Sequence, residues 1–356
     1  MSEQNNTWTN LLQAGLVEGN PPETVKLESP WFVKVLLGFS AWLASFFLLG
    51  FFGIALWDII DNSLASSATG FVMVGIAFFV LHKSENVFLE QMALVLSLAG
   101  QGLILVAIFD VSDSNFRLVG FWVALLQIPL AIFMPNFIHR VLSSYFAIFG
   151  ISMSLVFLGE PFIYSGILLM LVALLWLNEF RYPRHMEKVR AIAYGFTLGL
   201  ILVKGSSLFG SGDLWGLSTY NKVDLWFKPW MDEVVSGLVL LYLVWQLLRR
   251  YEILLSEPVA LLALLGTFLL CLASMEAGGI TVGITIVLLG FSSSNRVLLG
   301  LGIVSLLFFV SRYYYMLDKT LLAKALTLFL VGIVLIVMRW VMLRFVAGDQ
   351  ESENVQ

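Results

Sequence analysis

The sequence predicts an all-α protein, a polytopic transmembrane bundle of about twelve helices with both termini in the cytoplasm. Three observations lead there. Of 356 residues, 59% are hydrophobic and only 12% are charged, and mean hydropathy is +0.91. Soluble domains carry about 25% charged residues, so a water-soluble globular protein, a disordered chain and a nucleic-acid binder are excluded. Apolar runs recur along the whole chain at close to the ~20 residues a helix needs to cross a bilayer. Lys and Arg also divide unevenly between alternate loops, as they do across membranes.

In chain order, the runs span about 30–57, 64–81, 92–109, 118–134, 141–158 and 161–177, then 189–209, 234–248, 259–275, 278–291, 297–317 and 321–341. They are continuous rather than alternating, which excludes a β-barrel and leaves helices, the segments that bond their own backbone in lipid. Pro129 should kink the fourth. Very short connections at Gly159-Glu160 and Glu276-Ala277 predict two tight antiparallel hairpins, fifth with sixth and ninth with tenth. The tenth span is short and glycine-rich, so it is expected to be kinked, re-entrant or shielded by neighbours. Loops of about seven residues leave no room for a soluble domain. The expected layout is a polar tail 1–29, one membrane domain 30–343 and a polar tail 344–356. A basic loop, 181–190, divides the membrane domain into halves 30–180 and 189–343. The polar start carries no pattern of a cleavable signal peptide.

Orientation follows from the 20 Lys and Arg. One side receives Arg117, Lys204, Lys222, Lys228, Arg312, Lys319 and Lys324, and the other receives the remaining thirteen. The richer side should be cytoplasmic. The basic loop 181–190 is a topology anchor, with contact to anionic head groups or a cytoplasmic partner as the functional alternative. The long outer loop 210–233 carries Trp215, Tyr220, Trp226, Phe227 and Trp230. Such residues suit the head-group interface and, alternatively, a docking surface.

Catalytic signals are scarce. No phosphate-binding loop, H-E-x-x-H or G-x-S-x-G pattern occurs. His82, His139 and His185 fall on three separate cytoplasmic loops, and Cys271 is the single cysteine, so neither a disulfide nor a metal or cofactor site is expected. The informative residues are polar groups in or beside the spans, where each is costly to place in lipid. Gln101, between Gly100 and Gly102, and Gln127 lie mid-span; an interhelical hydrogen bond or a substrate contact would serve each. Asp110 and Glu276 lie at outer span ends, and Lys204 is a candidate partner for one of them. Gly195/Gly199 and Gly279/Gly283 have the spacing of close helix contacts. The densest constellation is the outer turn 313–324 with the preceding Arg312. Tyr313, Tyr314 and Tyr315 point about 100° apart, some toward head groups and some toward the bundle. Asp318 is placed to cap the last helix, and Arg312, Lys319 and Lys324 surround it.

The stretch from Glu257-Pro258 through Leu288-Leu289-Gly290-Phe291 and Ser294-Asn295-Arg296-Val297-Leu298, with Tyr313-Tyr314-Tyr315-Met316-Leu317-Asp318-Lys319-Thr320-Leu321-Leu322-Ala323-Lys324, resembles the C-terminal half of a bacterial multi-pass membrane family, domain of unknown function 4401. Pro30-Trp31-Phe32-Val33, Leu37-Gly38 and Ala41-Trp42-Leu43 resemble its opening, and the Gly100-Gln101 region is similar to the related family numbered 2157. Where the family commonly carries a serine after the lysine, this chain has Ala325. The resemblance implies a bacterial inner-membrane protein. It also implies, by association, a small membrane-anchored partner with a G-D-Y-x-x-L-x-Y motif.

The leading expectation is a non-enzymatic component of an inner-membrane complex that binds a partner at its extracytoplasmic face. The alternative is a small-solute transporter or channel, which a polar path near Gln101 or Gln127 would favour. A third class, an intramembrane enzyme acting on lipid, needs Asp110, Glu276 and Lys204 to converge. Reporter fusions at the two termini are expected to report the same, cytoplasmic side; opposite sides would refute twelve spans.

Overall fold

A computed structural model describes residues 62–84, 86–113, 115–156, 162–181, 183–208, 229–275 and 278–316, with helical positions also between 33 and 50 and between 321 and 340. Side chains are not described at every one of these positions. The described residues are all helical, with no strand among them. The helices are α1 (Ser63–Lys83), α2 (Val87–Val111), α3 (Phe116–Phe133), α4 (Phe137–Val156), α5 (Phe162–Leu177), α6 (Met186–Leu208), α7 (Pro229–Arg250), α8 (Pro258–Ser274), α9 (Ile280–Ser292) and α10 (Arg296–Met316). Seven of them, α1–α4, α6, α7 and α10, are long and apolar enough to cross a membrane. The shorter apolar ones are α5, α8 and α9.

Asparagine starts many of these helices. Asn62, Asn86, Asn115, Asn136 and Asn295 each accept a backbone N–H from the first turn that follows. This satisfies donors that a helix start otherwise leaves open. Apolar side chains face outward on most of the long helices, Phe79 of α1, Phe133 of α3 and Leu307 of α10 among them, as lipid-facing surfaces require, whereas the described residues of α6 expose none. The interior belongs to the short helices. Leu169, Val172 and Ala173 of α5 and Val282, Ile286 and Leu289 of α9 are fully buried, packed with Leu200 of α6, Leu243 of α7 and Phe309 of α10. A helix of 13 residues such as α9 is about 20 Å long, short of the ~30 Å hydrocarbon core. Neighbours cover it, which is the shielded form of the three the sequence allowed.

The first two hairpins are built alike. In α1–α2, Gly70 crosses Gly100; in α3–α4, Gly120 crosses Gly150. Both glycines and the capping asparagines Asn86 and Asn136 recur at a spacing of 50 residues. A Cβ at Gly100 would stand 2.7 Å from the Gly70 carbonyl oxygen, and one at Gly150 2.7 Å from that of Gly120. The backbones touch, so only glycine fits. A serine hydroxyl bonds across each crossing, but from opposite partners. Ser66 on the first helix donates to Leu103 O at 3.0 Å, whereas Ser154 on the second helix donates to Arg117 O at 2.9 Å.

The tight hairpins expected from the short connections do not form along their lengths. The fifth span, α4, lies along α6 instead of along the sixth, α5, and α5 lies along α7. The ninth and tenth spans, α8 and α9, touch only slightly, α8 packing on α7 and α9 on α10. A short connection joins helix ends; it does not choose which faces meet. Small residues choose here. A Cβ at Gly195 would come within 2.4 Å of Ser144 Cβ, and one at Gly199 within 2.6 Å of Ile148 Cγ2, so α4 and α6 run parallel and close. That is the contact expected of this glycine pair. Gly279 and Gly283 likewise press on Phe309 and Leu306 of α10.

Leucine at Gly100 or at Gly150 is expected to lower the thermal midpoint of the detergent-purified protein, each by the roughly 1–3 kcal/mol of an overpacked contact. Leucine at Gly102, which has open space around it, should leave the midpoint nearly unchanged.

Candidate functional site

Two buried polar centres stand out. The first holds Lys204, with Asp232 and Glu233. Lys204 sits near the C-terminal end of α6, and the two carboxylates sit near the start of α7, Asp232 in its first turn. Each position suits the local helix dipole, a cation at a C-terminus and anions at an N-terminus. The Lys204 Nζ lies 2.5 Å from Asp232 Oδ2 and 2.5 Å from Glu233 Oε1. All three side chains are buried, Lys204 to 2% exposure. Two further elements complete the centre. Ser165 Oγ on α5 lies 2.6 Å from both carboxylate oxygens of Asp232. The Gly279 N–H, at the start of α9, donates to Glu233 Oε1 at 3.3 Å. Gly279 adopts φ +90°, and a Cβ there would stand 2.6 Å from the Phe309 ring. Glycine is therefore required twice over, by conformation and by space. Glu233 Oε2 is buried without a hydrogen-bond partner among the described residues.

This centre ties α5, α6, α7 and α9 together at one end of the bundle. The sequence reading pairs Lys204 with Asp110 or Glu276; the structure brings Asp232 and Glu233 to it, while Glu276 lies outside the described residues. Asp110 is exposed at the end of α2 and accepts a hydrogen bond from Ser63 of α1. The true partners were hidden because the eighth span begins at Pro229, five residues earlier than the apolar run suggests. Proline at the first helical position is a start signal that marks this boundary.

The second centre joins α2, α3 and α4. Gln127 Nε2 donates to Gln101 Oε1 at 2.7 Å, the interhelical bond expected of these amides. Gln101 Nε2 in turn lies 3.2 Å from both Ser97 Oγ and His139 Nε2. His139 Nε2 is 2.8 Å from Ser97 Oγ, and its Nδ1 is 3.1 Å from Ser143 Oγ. With the amide nitrogen of Gln101 as donor, His139 Nε2 is the acceptor and Nδ1 carries the proton toward Ser143. His139 is therefore not a loop residue, as its sequence position suggested. Asn136 caps the start of α4 ahead of it, and His139 is 1% exposed. Gln127 Oε1 is buried and has no hydrogen-bond partner among the described residues.

The other expected positions divide. Trp230 is exposed in the first turn of α7, two residues before Asp232. Tyr313 is buried against Ile280 and Tyr314 is exposed, which is the expected split between bundle and surroundings. Arg312 is half-buried beside them. Trp215, Trp226, Glu276, Asp318, Lys324 and the Tyr315 side chain lie outside the described residues. Among the described residues, no group of three or more His, Cys, Asp or Glu side chains can hold a metal ion.

Replacing Lys204 with methionine leaves two carboxylates buried without their cation. The expected cost is about 3–5 kcal/mol, as for a buried pair that loses one partner, read as a lower thermal midpoint. Methionine at exposed Lys83 should cost little.

No curated protein and no solved structure matches this chain. The family model described as Domain of unknown function (DUF4401) matches residues 30–345. That match takes in every helix from α1 to α10, both polar centres and the Tyr313–Tyr314 end of α10. The chain is a member of the DUF4401 family.

Proposed function

We propose that the protein is a non-enzymatic component of a bacterial inner-membrane complex, with about twelve spans, both termini cytoplasmic, and a partner held at its extracytoplasmic face. One observation carries this reading. Lys204 precedes the segment 209–228 and Asp232 and Glu233 follow it, so the buried ion cluster clamps both stems of the aromatic loop. A sequence rich in Trp and Tyr between two stems tied together suits a partner contact. Exposed Trp230 stands at the edge of that base. The partner in this reading is a small membrane-anchored protein of the G-D-Y-x-x-L-x-Y type. Kinship with the family numbered 2157 belongs to the same proposal, through Gly100 and Gln101.

A second reading, transport of a small solute, is favoured by one feature, the open acceptor Gln127 Oε1 at the end of a polar chain that begins at Ser143. A photo-crosslinking residue at Trp230 separates the two. In native membranes it is expected to capture one discrete protein, while the same residue at lipid-facing Phe79 captures none. Absence of a protein adduct at Trp230, together with solute flux in proteoliposomes that is lost in Gln127→Leu, would replace the first reading by the second.

A further inference from the structure

Lys204 is one cation shared by two acids. Its Nζ lies 2.5 Å from an oxygen of Asp232 and 2.5 Å from an oxygen of Glu233, so those oxygens stand no further apart than twice that distance. The side chains of Lys204, Asp232 and Glu233 are 2%, 4% and 7% exposed. Among the described residues, no other cation pairs with either acid. With both acids ionised, the centre would hold one negative charge in excess, away from water. Elsewhere the chain balances a buried acid one for one, as Glu179 with Arg190. Two carboxylates that share a site resist ionising together, and a buried charge without a counter-charge is relieved by taking up a proton.

The neighbouring elements do not supply the missing positive charge. Ser165 of α5 brings a hydroxyl, which serves Asp232. Gly279, at the start of α9, brings a backbone N–H, which serves Glu233 Oε1. Cys271 of α8 is a thiol, neutral or negative. On α10, Tyr313 is a phenol buried against Ile280. Arg312, half-buried and three residues beyond Phe309, pairs with neither acid.

The two acids are not served alike. Asp232 takes Lys204 and the Ser165 hydroxyl. Glu233 Oε1 takes Lys204 and the Gly279 N–H, whereas Glu233 Oε2 is buried with no hydrogen-bond partner among the described residues. A hydrogen on Oε2 displaces no contact already made. Ser236 lies one turn deeper on the same face of α7, between Asp232 and Glu233 in angle. Its Cβ leans back toward that turn. Its hydroxyl is fully buried and also without a partner among the described residues. A proton needs no cavity, since it occupies a lone pair of an atom already in place. The centre lies about one turn, roughly 5 Å, from the ends of α6 and α7, so the proton has a short way to travel.

We propose that this centre is a proton-binding site, in which Glu233 carries a proton on Oε2 at neutral pH and Asp232 is the ionised partner of Lys204. The proton is taken from water and returned to it. Lys204 and Gly279 still donate to Glu233 Oε1, then the carbonyl oxygen of the acid. The site does not depend on what the outer face binds.

The test is infrared spectroscopy of the full-length protein in detergent at neutral pH, where exposed carboxyl groups are ionised. A carboxylic acid C=O band is expected in wild type, lost in Glu233→Gln and kept in Glu252→Gln, a change at an exposed residue. Glutamate labelled with carbon-13 at the side-chain carboxyl should shift the wild-type band. If Glu233→Gln does not fold, Glu233→Asp decides: it keeps an acid at the site, so its band should no longer respond to labelled glutamate. Absence of the band in wild type, its persistence in Glu233→Gln, or a label-sensitive band in Glu233→Asp would overturn the proposal.

Discussion

A bilayer interior offers a polar side chain no water, so each such group must find its partner on another helix. That constraint decides which helices of this protein are neighbours. Gln101 and Gln127 join α2 to α3, and His139 brings α4 to the same point. Trp176 Nε1 donates to Thr197 Oγ1 at 3.1 Å and joins α5 to α6. Ser274 and Thr281 hydroxyls, 2.9 Å apart, join α8 to α9 where their sides otherwise barely meet. The ion cluster does the same for four helices at once. Apolar packing fills the space between these contacts but is tolerant of rotation; the polar pairs are not.

Close backbone approach is the second determinant, and it explains the two alike hairpins. Gly70 on Gly100 and Gly120 on Gly150 bring helices near enough for a serine hydroxyl to reach a carbonyl oxygen across the crossing. The serine lies on the first helix in one hairpin and on the second in the other. One crossing geometry therefore accepts the same stabilising bond from either side. Little identity beyond Gly, Phe71/Phe121 and Asn accompanies the repeat, because lipid-facing positions accept almost any apolar residue.

Length and hydropathy made the helices from α1 to α10 legible in the chain, and the amide pair was legible because a mid-span glutamine has few other uses. His139 was not. It follows Asn136 closely and has polar neighbours, so hydropathy alone reads it as loop, and the asparagine cap was the signal that it already belonged to a helix. Asp232 and Glu233 were missed for a related reason. Two acidic residues break an apolar run, yet Pro229 had already started the helix, and the paired lysine that makes them tolerable is 28 residues away from Asp232. Helix neighbours were the least legible, since α4 chooses α6 through a glycine face and a short connection says nothing of faces.

Gly279 presses on Phe309, yet α10 continues to Met316. Seven residues of helix are about 10 Å, so the start of α9 is sunk by about two turns below the end of its neighbour. A helix start at the surface would have its free amides hydrated. At this depth the Glu233 carboxylate meets one of them instead, standing where a hydration shell would stand for an ordinary helix. The shortness of α9 thus creates the demand that the buried acid meets. Extending α9 outward by two turns would bring its amides to water and leave Glu233 as a charge without that task.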